Sequence, residues 1–137
     1  MAENIKLEVV TPEKSVVSEE TQMVVAPGTL GEFGVLSGHT PFLTTLKVGN
    51  IRYNDASGQE HFVFVSGGFA EALPDKVTVL AESAERRRDI DLARAKAAVE
   101  RAEKRLADQR KKEALDFTRA KAALERAIQR LRLAETR

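Results

Sequence analysis

The stretch RDIDLARAKAAVER, running from Arg88 to Arg101, is where the chain changes its period. Before it, short β-rich segments alternate with turn residues. From Asp91 onward, apolar residues recur at helical spacing: Leu92, Ala95, Val99, Ala102 and Leu106 form one narrow seam. Asp91 precedes the first helical residue and suits an N-cap, where its carboxylate accepts from a backbone N–H of the first turn. A second reading is open at the same residues. An acid and an arginine one turn apart, Asp91 and Arg94, at the junction of two regions, can also belong to a ligand site. The two readings are compatible.

Toward the C-terminus, Phe117, Ala120, Leu124, Ile128 and Leu131 form a second seam. Between the seams, Asp108-Gln109-Arg110-Lys111-Lys112-Glu113 is polar throughout. Two helices joined by a short polar link predict an antiparallel hairpin. Its seams are alanine-rich, so the helices can approach closely, but each buries little area. The connector has no Gly or Pro, and its residues tolerate helix. A hairpin held weakly enough to rearrange follows; an ordinary static hairpin is the alternative.

Toward the N-terminus the pattern is that of strands. Ile5, Leu7 and Val9 alternate with Lys6, Glu8 and Val10. Val16-Val17 and Gln22–Ala26 read as two more short strands, and Pro27-Gly28 as a break. Leu43–Leu46, Asn50–Tyr53, Glu60–Val65, Phe69–Leu73 and Val77–Leu80 follow, with Asn54–Gly58 as a hairpin turn. Eight to ten short strands predict an all-β sandwich or flattened barrel. The expected fold is therefore α+β: a β domain over residues 1–85, then a two-helix hairpin over 86–137.

The loop from Pro27 to Pro41 holds four glycines. A phosphate-binding loop would need Gly-Lys-Ser/Thr opening a helix, and neither the lysine nor the helix follows. Turns requiring positive φ explain the glycines better. His39 has no nucleophile or acid arranged around it in local sequence and reads as structural or interfacial. His61, in a strand, reads as an exposed face residue.

Net charge is +1, but it is split: residues 1–85 carry five Lys/Arg against twelve Asp/Glu, and residues 86–137 carry seventeen against nine. Such asymmetry suggests different partners for the two halves, an acidic one for the helices. Nucleic acid fits poorly, because acids are interleaved with the bases and no aromatic stacking platform appears. There is no cysteine, which excludes disulfides and Cys-based metal sites. No apolar run approaches the ~20 residues that span a bilayer. Glu3 and Glu8 stand where a secretory leader would be basic and apolar, so a soluble, cytosol-facing protein is expected.

Two stretches, GTLGEFGVLSGHTPFLTTLKVG and FVSGGFAEALPDKVTVLAESAER, followed by two charged helices, closely resemble the ε subunits of bacterial F-type ATP synthases. The resemblance covers essentially the whole chain. It implies a non-catalytic rotor subunit, with no catalytic residues or metal, at the foot of the central stalk on the cytoplasmic face of the membrane. Its partners would be the γ subunit and the c-subunit ring. Gly31, Glu32, Phe33, Gly38, His39 and Pro41 would form that subunit interface. The hairpin would fold on the β domain or extend along γ toward the α and β subunits, restraining ATP hydrolysis when extended. The excess positive charge would suit an acidic loop of the β subunits.

The same resemblance implies a regulatory ATP, with or without Mg²⁺, and no cofactor for catalysis. The Ile/Leu-Asp-x-x-Arg-Ala pattern is matched by Ile90, Asp91, Arg94 and Ala95. Glu85, Arg101, Arg126 and Arg130 match outlying positions of ATP-binding members. Arg94 and Arg101 lie on nearly the same side of the first helix, and Arg126 and Arg130 are one turn apart on the second. In a folded hairpin four guanidiniums could meet a triphosphate through bidentate bonds. The rivals are Asp91 acting as a cap alone, a free-standing ATP-sensing module, and a basic nucleic-acid binder.

Overall fold

A computed structural model describes residues 3–109 and 114–136 of the chain. They divide into two compact units, 1–86 and 87–137. The first holds seven strands: β1 (Ile5–Val10), β2 (Ser15–Gly28), β3 (Gly31–Val35), β4 (Phe42–Asp55), β5 (Glu60–Ala72), β6 (Lys76–Ala81) and β7 (Ala84–Arg86). The second holds a 3-10 turn (Arg87–Asp89), α1 (Leu92–Gln109) and α2 (Ala114–Glu135). The basic connector run Arg110-Lys111-Lys112 lies outside the described residues.

The strand order is β1-β6-β5-β4-β2-β3, and β1 also pairs with β2, so five strands close on themselves. β1 runs parallel to β6 and antiparallel to β2; the other pairings are antiparallel. Closure removes most free edges, leaving β3 and β7 as short outer strands. The strands are fewer and longer than the sequence pattern suggests. Val16-Val17 and Gln22–Ala26 belong to one strand of 14 residues, β2. Glu19, Glu20 and Thr21, which separate those two segments in the sequence pattern, are each paired with β1, and Thr21 Oγ1 donates to the Ile5 carbonyl at 2.7 Å.

Alternation decides the core. Ile5, Leu7 and Val9 of β1, Val24 of β2, Ile51 and Tyr53 of β4, Val63 and Val65 of β5, and Val77 and Val79 of β6 are all essentially buried. The Val65-Ser66-Gly67-Gly68-Phe69 stretch sits where β5 passes from pairing with β7 to pairing with β6. Gly68 has φ of 135°, and a Cβ there would stand 2.1 Å from the Leu80 carbonyl oxygen. Only glycine fits so close to the neighbouring backbone. Ser66 Oγ accepts from the Ser83 amide at 3.0 Å and pins the break between β6 and β7.

In the second unit, Asp91 is the N-cap: its Oδ1 accepts from the Arg94 amide at 3.1 Å, and its carbonyl accepts from the Ala95 amide at 2.9 Å. The two helices pack along one another. With only four residues between Gln109 and Ala114, they can do so only by running antiparallel. Arg87 Nη1 donates to Thr136 Oγ1 at 3.3 Å and ties the open end. The two ends agree on a register that sets Ala95 about level with Ala127, and Ala102 with Ala120.

The seam differs from the expected one. The buried line is Ala95 and Ala102 on α1, and Ala120, Ala127 and Ala134 on α2, each at heptad spacing, with Leu133 buried beside it near the end of α2. Leu92, Val99, Leu106, Leu124, Ile128 and Leu131 are only half-buried, and Phe117 is 40% exposed. When alanines face each other the axes come close, and larger neighbours project past the contact.

Candidate functional site

The glycine loop of the β unit is shaped by its backbone. Gly31 and Gly38 have φ of 137° and 83°, conformations that side chains oppose. The Gly38 amide donates to the Pro74 carbonyl at 2.7 Å, and the His39 amide to the Leu36 carbonyl at 3.1 Å. His39 Nδ1 stands 2.6 Å from its neighbour Thr40's carbonyl oxygen. A carbonyl only accepts, so Nδ1 carries the proton in that contact. The His39 ring lies 5.2 Å from Phe42, which meets Phe33 edge-on at 4.9 Å. Around this aromatic knot, Leu30, Leu36 and Leu43 are 100, 57 and 68% exposed. Glu32, Gly31, Gly38 and Pro41 are exposed as well. Nothing here resembles a reaction centre; the loop offers apolar and aromatic surface on a rigid frame.

A second apolar surface escaped the sequence reading. Phe69 of β5 is register partner of Leu80 of β6, which is partner of Val10 of β1. Phe69 and Leu80 are more than half exposed. With Pro12 they line a shallow, almost wholly apolar groove of ≈ 360 Å³. The signal was the odd-even alternation of β5, which sends Phe69 outward between half-buried Gly68 and buried Ala70.

Two polar groups anchor the unit. Arg86, its last residue, donates through Nε to the Val16 carbonyl at 3.1 Å and through Nη1 to Tyr53 Oη at 3.0 Å. Tyr53 Oη in turn donates to Glu19 Oε2 at 2.5 Å. Burial, reinforced by that carboxylate, pushes the Tyr53 phenol well above its ordinary pKa. His61 is not an exposed face residue. Its ring stacks on Tyr53 at 5.0 Å, and its Nε2 stands 2.8 Å from Asp55 Oδ2. Hydrogen bonds from the Ser57 hydroxyl, then from His61, and from the Gln59 and Ser57 amides hold the Asp55 carboxyl well below the usual carboxylate range.

The hairpin carries the other candidate residues. At about 100° per residue, Arg94, Arg101 and Arg105 of α1 and Arg119, Arg126 and Arg130 of α2 all fall on one side of their alanine seams. The half-buried apolar residues Leu92, Val99, Leu106, Leu124, Ile128 and Leu131 fall on the other side; Leu133, seven residues beyond Arg126, is a buried exception on the arginine side. In an antiparallel pair the same rotational sense carries side chains to the same side of both helices. Six arginines therefore share one face, while Lys96, Lys104, Lys121, Glu100, Glu103, Glu125 and Arg132 point away from it. Asp91, occupied as the cap, and Asp108, one turn beyond Arg105, are the acids nearest that face among the described side chains.

Along the hairpin, Arg94 is level with the gap between Arg126 and Arg130, so these three form a cluster near the open end. Arg101 stands about 10 Å further along α1, at 1.5 Å per residue. Ile90 and Ala95 are 1% exposed and turn into the packed interior, so the polar contacts of the motif fall to Asp91 and the arginines. Glu85 lies in β7, opposite Phe64 of β5, and is half-buried in the β unit.

Residues 4–87 match the family model of the ATP synthase delta/epsilon chain β-sandwich domain, and residues 88–135 that of its long α-helix domain. The ATP synthase epsilon chain of Desulfosudis oleivorans is 68% identical over 106 residues, covering 77% of this chain and 80% of that one. That of Nitratidesulfovibrio vulgaris is 56% identical over 112 residues, 82% of this chain and 83% of that one. The chain belongs to the ATP synthase epsilon-chain family. As an epsilon chain it is a subunit of that complex and not itself catalytic. A chain in the OSCP/F1/c-ring structure of the Euglena gracilis mitochondrial ATP synthase shares the fold. Its TM-score is 0.80 at 21% identity, covering 98% of this chain and 82% of that one.

Proposed function

We propose that this epsilon chain is a rotor subunit of the central stalk, carried at the cytoplasmic face of the membrane as a peripheral part of the complex. Its β unit meets the γ subunit and the c-subunit ring through the loop of Gly31, Glu32, Phe33, Gly38, His39 and Pro41, joined by the Phe69–Leu80–Val10 row. Exposed apolar side chains on a closed, rigid barrel support this reading, because such patches mark interaction surfaces. Among the described residues no helix is long and apolar enough to cross a membrane.

The hairpin restrains ATP hydrolysis when it leaves its folded state and meets the α and β subunits through its basic face. ATP, with or without Mg²⁺, favours the folded state by binding to Arg94, Arg126 and Arg130, with Arg101 at the far end of the triphosphate and Glu85 and Asp91 ordering the site. The observation that carries this reading is the sorting of the helices into an alanine seam and an arginine face. The seam is weak enough to open, and the face gives one state a ligand that the other lacks.

Two measurements test it. In reconstituted synthase, a chain ending before Asp91 should preserve coupling and release hydrolysis; hydrolysis that stays restrained means the hairpin is not the brake. Calorimetric titration of the full chain with ATP should give heat that Arg126→Ala abolishes. Absence of heat from the unmodified chain at millimolar ATP would remove the nucleotide site.

A further inference from the structure

The arginine face is longer than a nucleotide needs. Arg94 to Arg105 spans about 16 Å at 1.5 Å per residue. A triphosphate seated on Arg94, Arg126 and Arg130 leaves Arg105 and Arg119 unused. These two are about level with each other in the hairpin register, and Arg101 stands one turn from Arg105. The face thus carries a second cluster, Arg101, Arg105 and Arg119, toward the closed end. Among the described residues, Arg94, Arg101, Arg105, Arg119 and Arg126 have no carboxylate within ion-pair distance.

Residue type is informative here. The helices place arginine, not lysine, along this face, and hold Lys96, Lys104 and Lys121 elsewhere. Guanidinium is the group for bidentate bonds to phosphate or carboxylate oxygens; an ammonium is a point charge. Charge density separates the two anions. An extended acidic peptide offers carboxylates to one side only at every second residue, about 7 Å apart. Six arginines over this length are spaced more closely than that. A phosphate chain carries charge at every phosphorus and matches them better. A nucleic acid strand would want aromatic platforms, and the only aromatic side chain of the described hairpin, Phe117, lies on the opposite face.

We propose that the hairpin's arginine face binds linear inorganic polyphosphate chains longer than a triphosphate, with Arg101, Arg105 and Arg119 as a second anion-binding cluster beside Arg94, Arg126 and Arg130. The proposal shares the folded hairpin with the ATP reading above but does not need the nucleotide. A long chain bridging both clusters holds α1 and α2 together along their length, so it stabilises the same state.

The test is a calorimetric titration of the full-length chain with tripolyphosphate, with polyphosphate of several tens of units, with ATP, and with a poly-aspartate peptide of matched charge. Each added charge-assisted contact should strengthen binding about tenfold, so the long chain should bind at least that much tighter than tripolyphosphate, compared at equal phosphate. Arg105→Gln/Arg119→Gln keeps good helix formers and should abolish the length effect while leaving ATP heat unchanged. Circular dichroism checks that helix content is kept, and Lys104→Gln/Lys121→Gln, off the face, should leave the length effect intact. Equal affinity for short and long chains overturns the proposal. So does a length effect that survives the arginine double variant, or poly-aspartate binding as tightly as polyphosphate. Long-chain binding without ATP heat sinks the nucleotide site alone; ATP heat without a length effect sinks this proposal alone.

Discussion

The β unit and the hairpin bury their apolar residues in opposite ways. The barrel interior is filled by Ile, Val, Leu and Tyr side chains contributed by strands far apart in sequence, such as Ile5, Ile51 and Val79. The hairpin is closed mainly by five alanines, each burying a single methyl worth roughly 0.8 kcal/mol. Of its larger apolar residues, Ile90 and Leu133 are buried near the open end, and the others described stay half-covered or exposed. The barrel is thus filled by large side chains, and the hairpin is held by a thinner contact, which suits the opening proposed above. On the proposed function, the part of the molecule that moves is marked by the size of its buried side chains, not by loops or glycines.

The strongest way to break the contrast is inside the barrel. Ile51→Ala should cost about 2–5 kcal/mol, seen as a lower urea midpoint for the β transition. A loss confined to helix signal would mean that the two units are not energetically distinct. Next, Ala102→Leu should overpack the seam at a cost of about 1–3 kcal/mol. Hydrogen exchange along α1 and α2 should then speed up while the strands stay protected; faster exchange in β4 and β5 would contradict the division. Asp91→Ala removes the cap and should cost ~1 kcal/mol, confined to the first turn of α1 and read by exchange at the Leu92–Arg94 amides.

The smallest effect is a pH dependence in the barrel. The Asp55 carboxyl titrates lower in the folded chain than in the unfolded one. The unfolded chain therefore takes up this proton first as pH falls. The stabilisation is fully present above the unfolded carboxylate's pKa and is lost as pH drops from there through the depressed folded value. Asp55→Asn should flatten the acid limb of urea midpoints measured from pH 5 downward. An unchanged limb would show that the Ser57 and His61 bonds do not hold in solution.

Legibility followed the range of the interactions. The change of period at Asp91, the two helices and the alternation of β1 are local patterns, and they were readable. The continuity of β2 was not, because the polar run Ser18-Glu19-Glu20-Thr21 interrupts the apolar pattern until Tyr53 and Ile5 supply partners for Glu19 and Thr21. His61 misled for the same reason: Tyr53 lies opposite it only once β4 and β5 are in register. In the hairpin, spacing placed all the candidate arginines on helices. It could not say that alanines would form most of the seam, since that depends on how closely the axes approach. Arg105 and Arg119 were visible in the sequence as basic residues, but their shared level required the register between the helices.

Arg86 has a mechanical consequence. It is the residue at which the covalent chain leaves the barrel, and β7, only three residues long, would peel away easily if strand pairing alone resisted a pull from Arg87. The guanidinium instead fastens that exit to the Val16 carbonyl on β2 and to Tyr53 on β4. Tension along the chain is spread across two long strands of the closed barrel and meets them side-on, as a cleat holds a rope, instead of unzipping one short edge.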